Sequence, residues 1–344
     1  GSLDLRSAHT ALIKTALTND NPYLFLTGNP GIGKTTTIVE FLKQHLEDGF
    51  LFFYVSPRKN VNKDVIEKFK SQPGESLGGS IAAPLENHGL FCINTNADII
   101  QANGGHCTVQ YFSDLREGDF TEQAVHFIDG QALIERSLST SQRLQRIMED
   151  LIQDAGEQTK WVLDSICEAI YTIIDRQLSN NIVATISLQS LKKTGNGQDT
   201  LRHFEKIFRN AYNQSEGSVI PDQMKKISQR IKHIFIMVDE ITGDHSGVEF
   251  LNRISSILRQ YELTNSQYGF NTKIIVADAS IVDPDVIQQH LSTTVSEPDK
   301  IFYRRASEND SPLSVQNFKF KGLGATVINS NSYPARSLNI TYKV

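Results

Sequence analysis

The stretch YLFLTGNPGIGKTTTIVEFL, Tyr23 to Leu42, decides the fold. Tyr23 to Thr27 is an apolar run of strand length, and helical spacing of apolar residues follows from Lys34 to about Leu46. Between them, Gly28-Asn29-Pro30-Gly31-Ile32-Gly33-Lys34-Thr35 fits G-x-x-x-x-G-K-[ST] in full. Glycines let backbone amides curl inward around phosphate oxygens without Cβ clashes, and the positive end of the helix adds to that field. The motif assigns Lys34 to the β- and γ-phosphates and the Thr35 hydroxyl to Mg²⁺. Residues Gly28 to Thr36 form the expected phosphate-binding segment.

Working outward, Asp4 to Leu17 has helical spacing and precedes a turn at Asn19-Asp20-Asn21-Pro22. Phe50 to Val55 is long enough only for a buried strand, and a helix is expected from Val61 to Lys70. Strand, loop, helix, strand is a parallel opening. A Gly/Ser/Pro-rich loop, Ser71 to about Gly89, is followed by short strand candidates at Leu90–Asn94, Thr108–Phe112 and Ala124–Ile128. Long helical patterns cover Ser141–Asp154 and Glu157–Leu178. The alternation then resumes, with strands at Asn181–Ser187, His233–Val238 and Lys273–Ala277. Helices are expected at Asp199–Gln214, Asp222–Lys232, Gly247–Leu263 and Asp283–Leu291. Four segments follow: a first core part (1–70), an inserted region (71–180), the rest of the core (181–299) and a β-rich C-terminal piece (300–344). The expected fold is α/β, a P-loop NTPase with a mostly parallel sheet covered by helices.

The second chemical element is Asp239-Glu240, delivered by the apolar run His233 to Val238. Asp239 at the end of a buried strand suits a Mg²⁺ held through water, and Glu240 suits deprotonation of an attacking water. A carboxylate that activates water favours a hydrolase over a simple phosphotransfer kinase.

The order of these elements resembles the first RecA-like domain of superfamily 2 helicases, and more broadly the superfamily 1 and 2 motor ATPases. The P-loop and Asp239-Glu240 look like motifs I and II. Tyr54-Val-Ser-Pro-Arg58 is similar to motif Ia, Val183 to Leu191 resembles a strand-end segment with Gln189-Ser190, and Lys273 to Ile281 resembles motif III, recast as Asp278-Ala-Ser280. The resemblance implies ATP and Mg²⁺ as cofactors and DNA or RNA as partner. It implies backbone phosphate contacts from Arg58, Lys59, Gln189 and Ser190, and coupling through Asp278 and Ser280. It also implies a second RecA-like domain or subunit supplying an arginine finger. No strand–helix series after Ile281 has the length for one. Asp-Glu-Ile-Thr departs from the common forms of motif II, and His9 stands roughly where a glutamine for adenine is expected. A switch ATPase of the AAA+ or STAND kind is the other class compatible with the same motifs.

Composition narrows the setting. The net charge of −5 gives no global basic signature for nucleic acid, leaving only a local basic groove. No apolar run reaches the length of a membrane span, and no signal peptide precedes the first domain, so a cytoplasmic protein without membrane partners is expected. Cys92, Cys107 and Cys167 form no CxxC pair, which fits reduced thiols. His88, Cys92, His106 and Cys107 match no familiar zinc spacing, and structural roles are expected for them.

Overall fold

A computed structural model describes residues 5–28, 33–56, 59–70, 89–94, 105–112, 123–128, 131–134, 162–187, 200–239, 245–278, 301–305, 313–320, 322–330 and 338–342. The chain opens with α1 (Leu5–Ala16), β1 (Tyr23–Gly28), α2 (Lys34–Gln44), β2 (Phe50–Ser56) and α3 (Lys59–Lys70). Four strands follow, β3 (Leu90–Asn94), β4 (Gly105–Phe112), β5 (Gln123–Ile128) and β6 (Gln131–Ile134), then α4 (Val162–Asp175) and β7 (Asn181–Ser187). A 3₁₀ helix (Thr200–Ala211) leads through β8 (Tyr212–Asn213) and β9 (Ser218–Val219) to α5 (Pro221–Arg230) and β10 (His233–Asp239). The remaining elements are α6 (His245–Gln260), β11 (Asn271–Asp278), β12 (Ile301–Arg305), β13 (Leu313–Phe320), β14 (Leu323–Ser330) and β15 (Leu338–Tyr342).

The main sheet has the order β13-β14-β1-β11-β10-β2-β7-β3-β4-β5-β6. Strands from β14 to β3 in that order run parallel, β13 is antiparallel to β14, and β4 to β6 extend the other side as antiparallel neighbours. The fold is therefore the α/β, mostly parallel arrangement expected from the alternation of apolar runs and helices. Parallel strands need helical cover on both faces, which explains why β2 (FLFFYVS) is buried at every position. Phe50, Phe52, Tyr54, Phe235 and Met237 join Ile38, Leu42 and Phe69 in a core on the α1–α3 side. Their alternating neighbours Leu51, Phe53, Val55, Ile234, Ile236 and Val238 pack with Ile166, Ile170, Ile257 and Leu258 on the opposite side.

The helix expected at Asp199–Gln214 is a 3₁₀ helix over Thr200–Ala211, with a non-helical residue at Phe208. His203, Lys206 and Arg209 recur every third residue, the period of a 3₁₀ helix, and so share one stripe. That stripe meets Asp164 and Glu168 of α4: His203 pairs with Asp164, Lys206 with Asp164 and Glu168, and Arg209 with Glu168 at 2.7 Å.

Two segments contribute more to the sheet than their texture suggests. β3, from the region expected to be inserted, pairs in parallel with β7. β14, from the β-rich C-terminal piece, pairs in parallel with β1 from Tyr23↔Ala325 to Gly28↔Ser330. The expected helices at Ser141–Asp154 and Asp283–Leu291 lie outside the described residues. Among the described residues no helix is long and apolar enough to cross a membrane, and Cys92 and Cys167 are buried free thiols.

Candidate active site

Every strand from β1 to β7 in the sheet order ends at the same edge, so the sequence motifs emerge there as a row. Gly28 closes β1, Asp278 closes β11, Asp239 closes β10, Ser56 closes β2 and Ser187 closes β7. Along β1-β11-β10-β2-β7 the strand ends are thus Gly28, Asp278, Asp239, Ser56 and Ser187, which in sequence lead to the phosphate-loop motif, Ser280, Glu240, Arg58–Lys59 and Gln189–Ser190. Open parallel sheets bind ligands outside this carboxyl edge. β11 separates the P-loop strand from the acidic strand, and two strand spacings amount to about 10 Å.

Gly33 has φ 82° and ψ 31°, a left-handed conformation that glycine adopts without strain, and it is the N-cap of α2. It provides no side-chain cap, and the first helical bond runs from Thr37 N–H to Gly33 O at 2.9 Å. The opening turn of α2, with half-buried Lys34, Thr35 and Thr36, therefore presents amide donors suited to an anion. The Thr37 hydroxyl donates to Gly33 O at 2.9 Å and lies 3.4 Å from the Thr10 hydroxyl, which ties the turn to α1. Asn29, Pro30, Gly31 and Ile32 lie outside the described residues.

Asp239 is half-buried and follows Phe235 and Met237 at the two-residue period of a strand, so it points to the sheet face that carries α2. Its Oδ2 accepts a 2.5 Å hydrogen bond from the Tyr54 hydroxyl. Tyr54 sits opposite Met237 in the β2–β10 register, diagonal to Asp239, a separation an aromatic side chain can bridge. The Asp239 carboxylate and the Thr35 hydroxyl are oxygen donors, the chemistry of a hard cation such as Mg²⁺, and the two elements that carry them share one face. The residues present thus fit the cation implied by the motifs.

Lys59 opens α3 and Asp278 ends β11 opposite Thr27 of β1. Glu240, Arg58, Gln189, Ser190 and Ser280 lie outside the described residues; in sequence, Glu240 directly follows the end of β10 and Arg58 directly precedes α3. The flanking ends of β2 and β7 are adjacent, with Ser56 paired to Ser187. His9 of α1 is fully buried, and neither ring nitrogen has a hydrogen-bond partner among the described residues. Burial, and then the nearby Lys34 charge, push its pKa down to about 4, so its ring is neutral beside the lysine.

Tyr54 was the site residue that motif reading passed over. Its signal is one polar tip in the apolar run Phe50–Val55, directly before the strand ends. A buried tyrosine hydroxyl requires a partner, which makes such a residue worth tracing. Neither a known protein family nor a curated protein sequence matches this chain.

Proposed function

We propose that the chain is a Mg²⁺-dependent nucleoside-triphosphate hydrolase, of the motor kind that acts on nucleic acid. One observation carries the hydrolase reading: the P-loop strand β1 and the acidic strand β10 end at one edge, separated by β11, with Asp239 on the face of α2. Lys34 and the first amides of α2 bind the phosphates, and Thr35 with Asp239 holds the cation. Bound Mg²⁺ would supply neutralisation of the phosphate charge. Glu240, next in sequence to Asp239, takes the proton as water oxygen bonds to the γ-phosphorus and the bond to the β,γ-bridging oxygen breaks. The products are the nucleoside diphosphate and inorganic phosphate.

The motor assignment rests on the helicase-like motif order and on the neighbouring ends of β2 and β7. In that reading Arg58, Lys59, Gln189 and Ser190, close in sequence to those ends, contact the sugar–phosphate backbone, and a separate RecA-like domain or subunit completes the nucleotide site. Phosphate release should be measured with and without single- and double-stranded DNA and RNA, in the presence of any such partner domain. Stimulation by one of them supports the motor reading, and none from all four overturns it. A switch ATPase is the second reading, favoured by β14: residues after the catalytic elements pair directly with the P-loop strand. In that case turnover is indifferent to nucleic acid, and nucleotide binding changes the exposure of the β13–β14 hairpin to hydrogen exchange.

A further inference from the structure

We propose that Tyr54 is a positioning residue for the divalent cation, acting by fixing the carboxylate of Asp239. The inference rests on the hydrolase reading above. Three observations support it. The Tyr54 side chain is fully buried and packed in the α1–α3 core, with its ring tilted against Phe52 at 6.1 Å, so its hydroxyl has little freedom. That hydroxyl donates to Asp239 Oδ2 at 2.5 Å, across 185 residues of sequence. Asp239 is the last residue of β10, where the ladder to β2 stops at Val238↔Val55. Asp239 still pairs with Ala277 of β11, and a fixed donor on one carboxylate oxygen restricts the rotamers open to its side chain. That restriction sets the orientation in which the carboxylate meets a cation or its water.

Partners that orient metal ligands change metal affinity by roughly ten- to a hundredfold when removed. Tyr54→Phe keeps the ring and removes only the donor. Full-length wild type and Tyr54→Phe should be compared for phosphate release against Mg²⁺, and for Mn²⁺ bound with a non-hydrolysable nucleotide by electron paramagnetic resonance. The expected result is a rise of about tenfold or more in half-saturating Mg²⁺ and a matching loss of Mn²⁺ affinity. At saturating Mg²⁺ the turnover of Tyr54→Phe should return to within about threefold of wild type, as a positioning role requires. Superimposable metal titrations, or a lowered maximal rate with half-saturation unmoved, would overturn the proposal.

A second measurement needs no variant. In the chain labelled at tyrosine ζ-carbons, Mn²⁺ with nucleotide should broaden the resonance of the one tyrosine bonded to Asp239. No broadened tyrosine among the ten in the chain would count against the contact. A wild type that binds no Mn²⁺ with nucleotide sinks the hydrolase reading together with this inference. A wild type and variant that bind it equally sink this inference alone.

Discussion

Lys273 offers the sharpest test of the structure. It begins the apolar run KIIVA on β11, yet it is only 1% exposed. Its Nζ donates to Asn19 O at 2.6 Å, Asn19 Oδ1 at 2.8 Å and Asn21 O at 2.5 Å. Three acceptors match the three protons of an ammonium group. Burial still lowers the pKa to about 8, with Asp20 acting in the opposite direction. The folded chain therefore releases this proton at lower pH than the unfolded chain, whose lysine titrates near its ordinary 10.5. Between those values the unfolded state binds more protons, so the contribution of Lys273 to stability rises with pH. From about pH 7.5 to 9.5 the gain is about 2 kcal/mol.

The perturbation is Lys273→Met, which keeps most of the volume and removes the charge. Asn19 Oδ1 retains the bond from Asn21 N–H, but Asn19 O and Asn21 O lose the ammonium donor. Orphaned carbonyls cost about 1–3 kcal/mol each, partly offset by no longer burying a charge, which leaves a net loss of about 2 kcal/mol near neutral pH. Urea unfolding across the pH series gives the gap between wild type and variant directly, and tyrosine ionisation common to both cancels. The gap should widen to about 4 kcal/mol near pH 9.5. A constant gap would refute the reasoning, because it would mean that Lys273 titrates alike in the folded and unfolded chain.

Other expectations follow from the same structure. Lys34→Ala should abolish nucleotide binding or turnover, whereas Glu240→Gln should retain binding measured by fluorescent nucleotide and lose phosphate release; hydrolysis retained in Glu240→Gln removes the base role. Gly49 has φ 74°, and a Cβ there would lie 1.9 Å from Arg230 O, so Gly49→Ala should cost about 3 kcal/mol or more in urea unfolding. His9 and His233 are both pushed down to about 4 chiefly by burial, so the unfolded chain takes up their protons first as pH falls below 6.5. Stability should therefore be lost between pH 6.5 and 4, and His9→Gln should flatten that loss in denaturation curves.

Much of the frame was legible because parallel strands buried on both faces are written as uninterrupted apolar runs. FLFFYV, NIVATIS and HIFIMV mark β2, β7 and β10 almost to the residue. The P-loop announces itself because phosphate binding requires glycine, lysine and threonine at fixed spacing. Pairings between distant segments were not legible. Nothing local in Leu90–Asn94 says that it joins β7, and nothing in Leu323–Ser330 says that it lies beside β1. The 3₁₀ helix was read as an α-helix because its buried residues Phe204, Ile207, Phe208 and Ala211 satisfy a helical period. Its second signal, basic residues every third position, acquires meaning only opposite Asp164 and Glu168. Tyr54 and Lys273 share that fate: each is a polar tip in an apolar run whose partner lies far away in sequence.

The two edges of the sheet divide the work between them. At the amino edge, side-chain bonds tie neighbouring elements together. Lys273 holds the turn before β1, and Asn19 and Asn21 of that turn both donate to the Thr326 hydroxyl on β14, at 2.9 and 3.0 Å. His233 of β10 meets Asp48, just before β2, at 3.0 Å and Asn271 of β11 at 2.9 Å. Asn271 also donates to Leu17 O at the end of α1, at 2.8 Å. Strands β14, β1, β11, β10 and β2 are thus linked through side chains as well as through their backbone ladders. At the carboxyl edge the ends of β1, β11, β10, β2 and β7 each precede a candidate functional residue in sequence. A sheet locked at one edge holds those ends at fixed spacings, which the proposed chemistry needs between the P-loop and Asp239. Of the described side-chain bonds, Tyr54 to Asp239 is the one that joins neighbouring strands at the carboxyl edge through a candidate catalytic group, so metal affinity is the property most exposed to its loss.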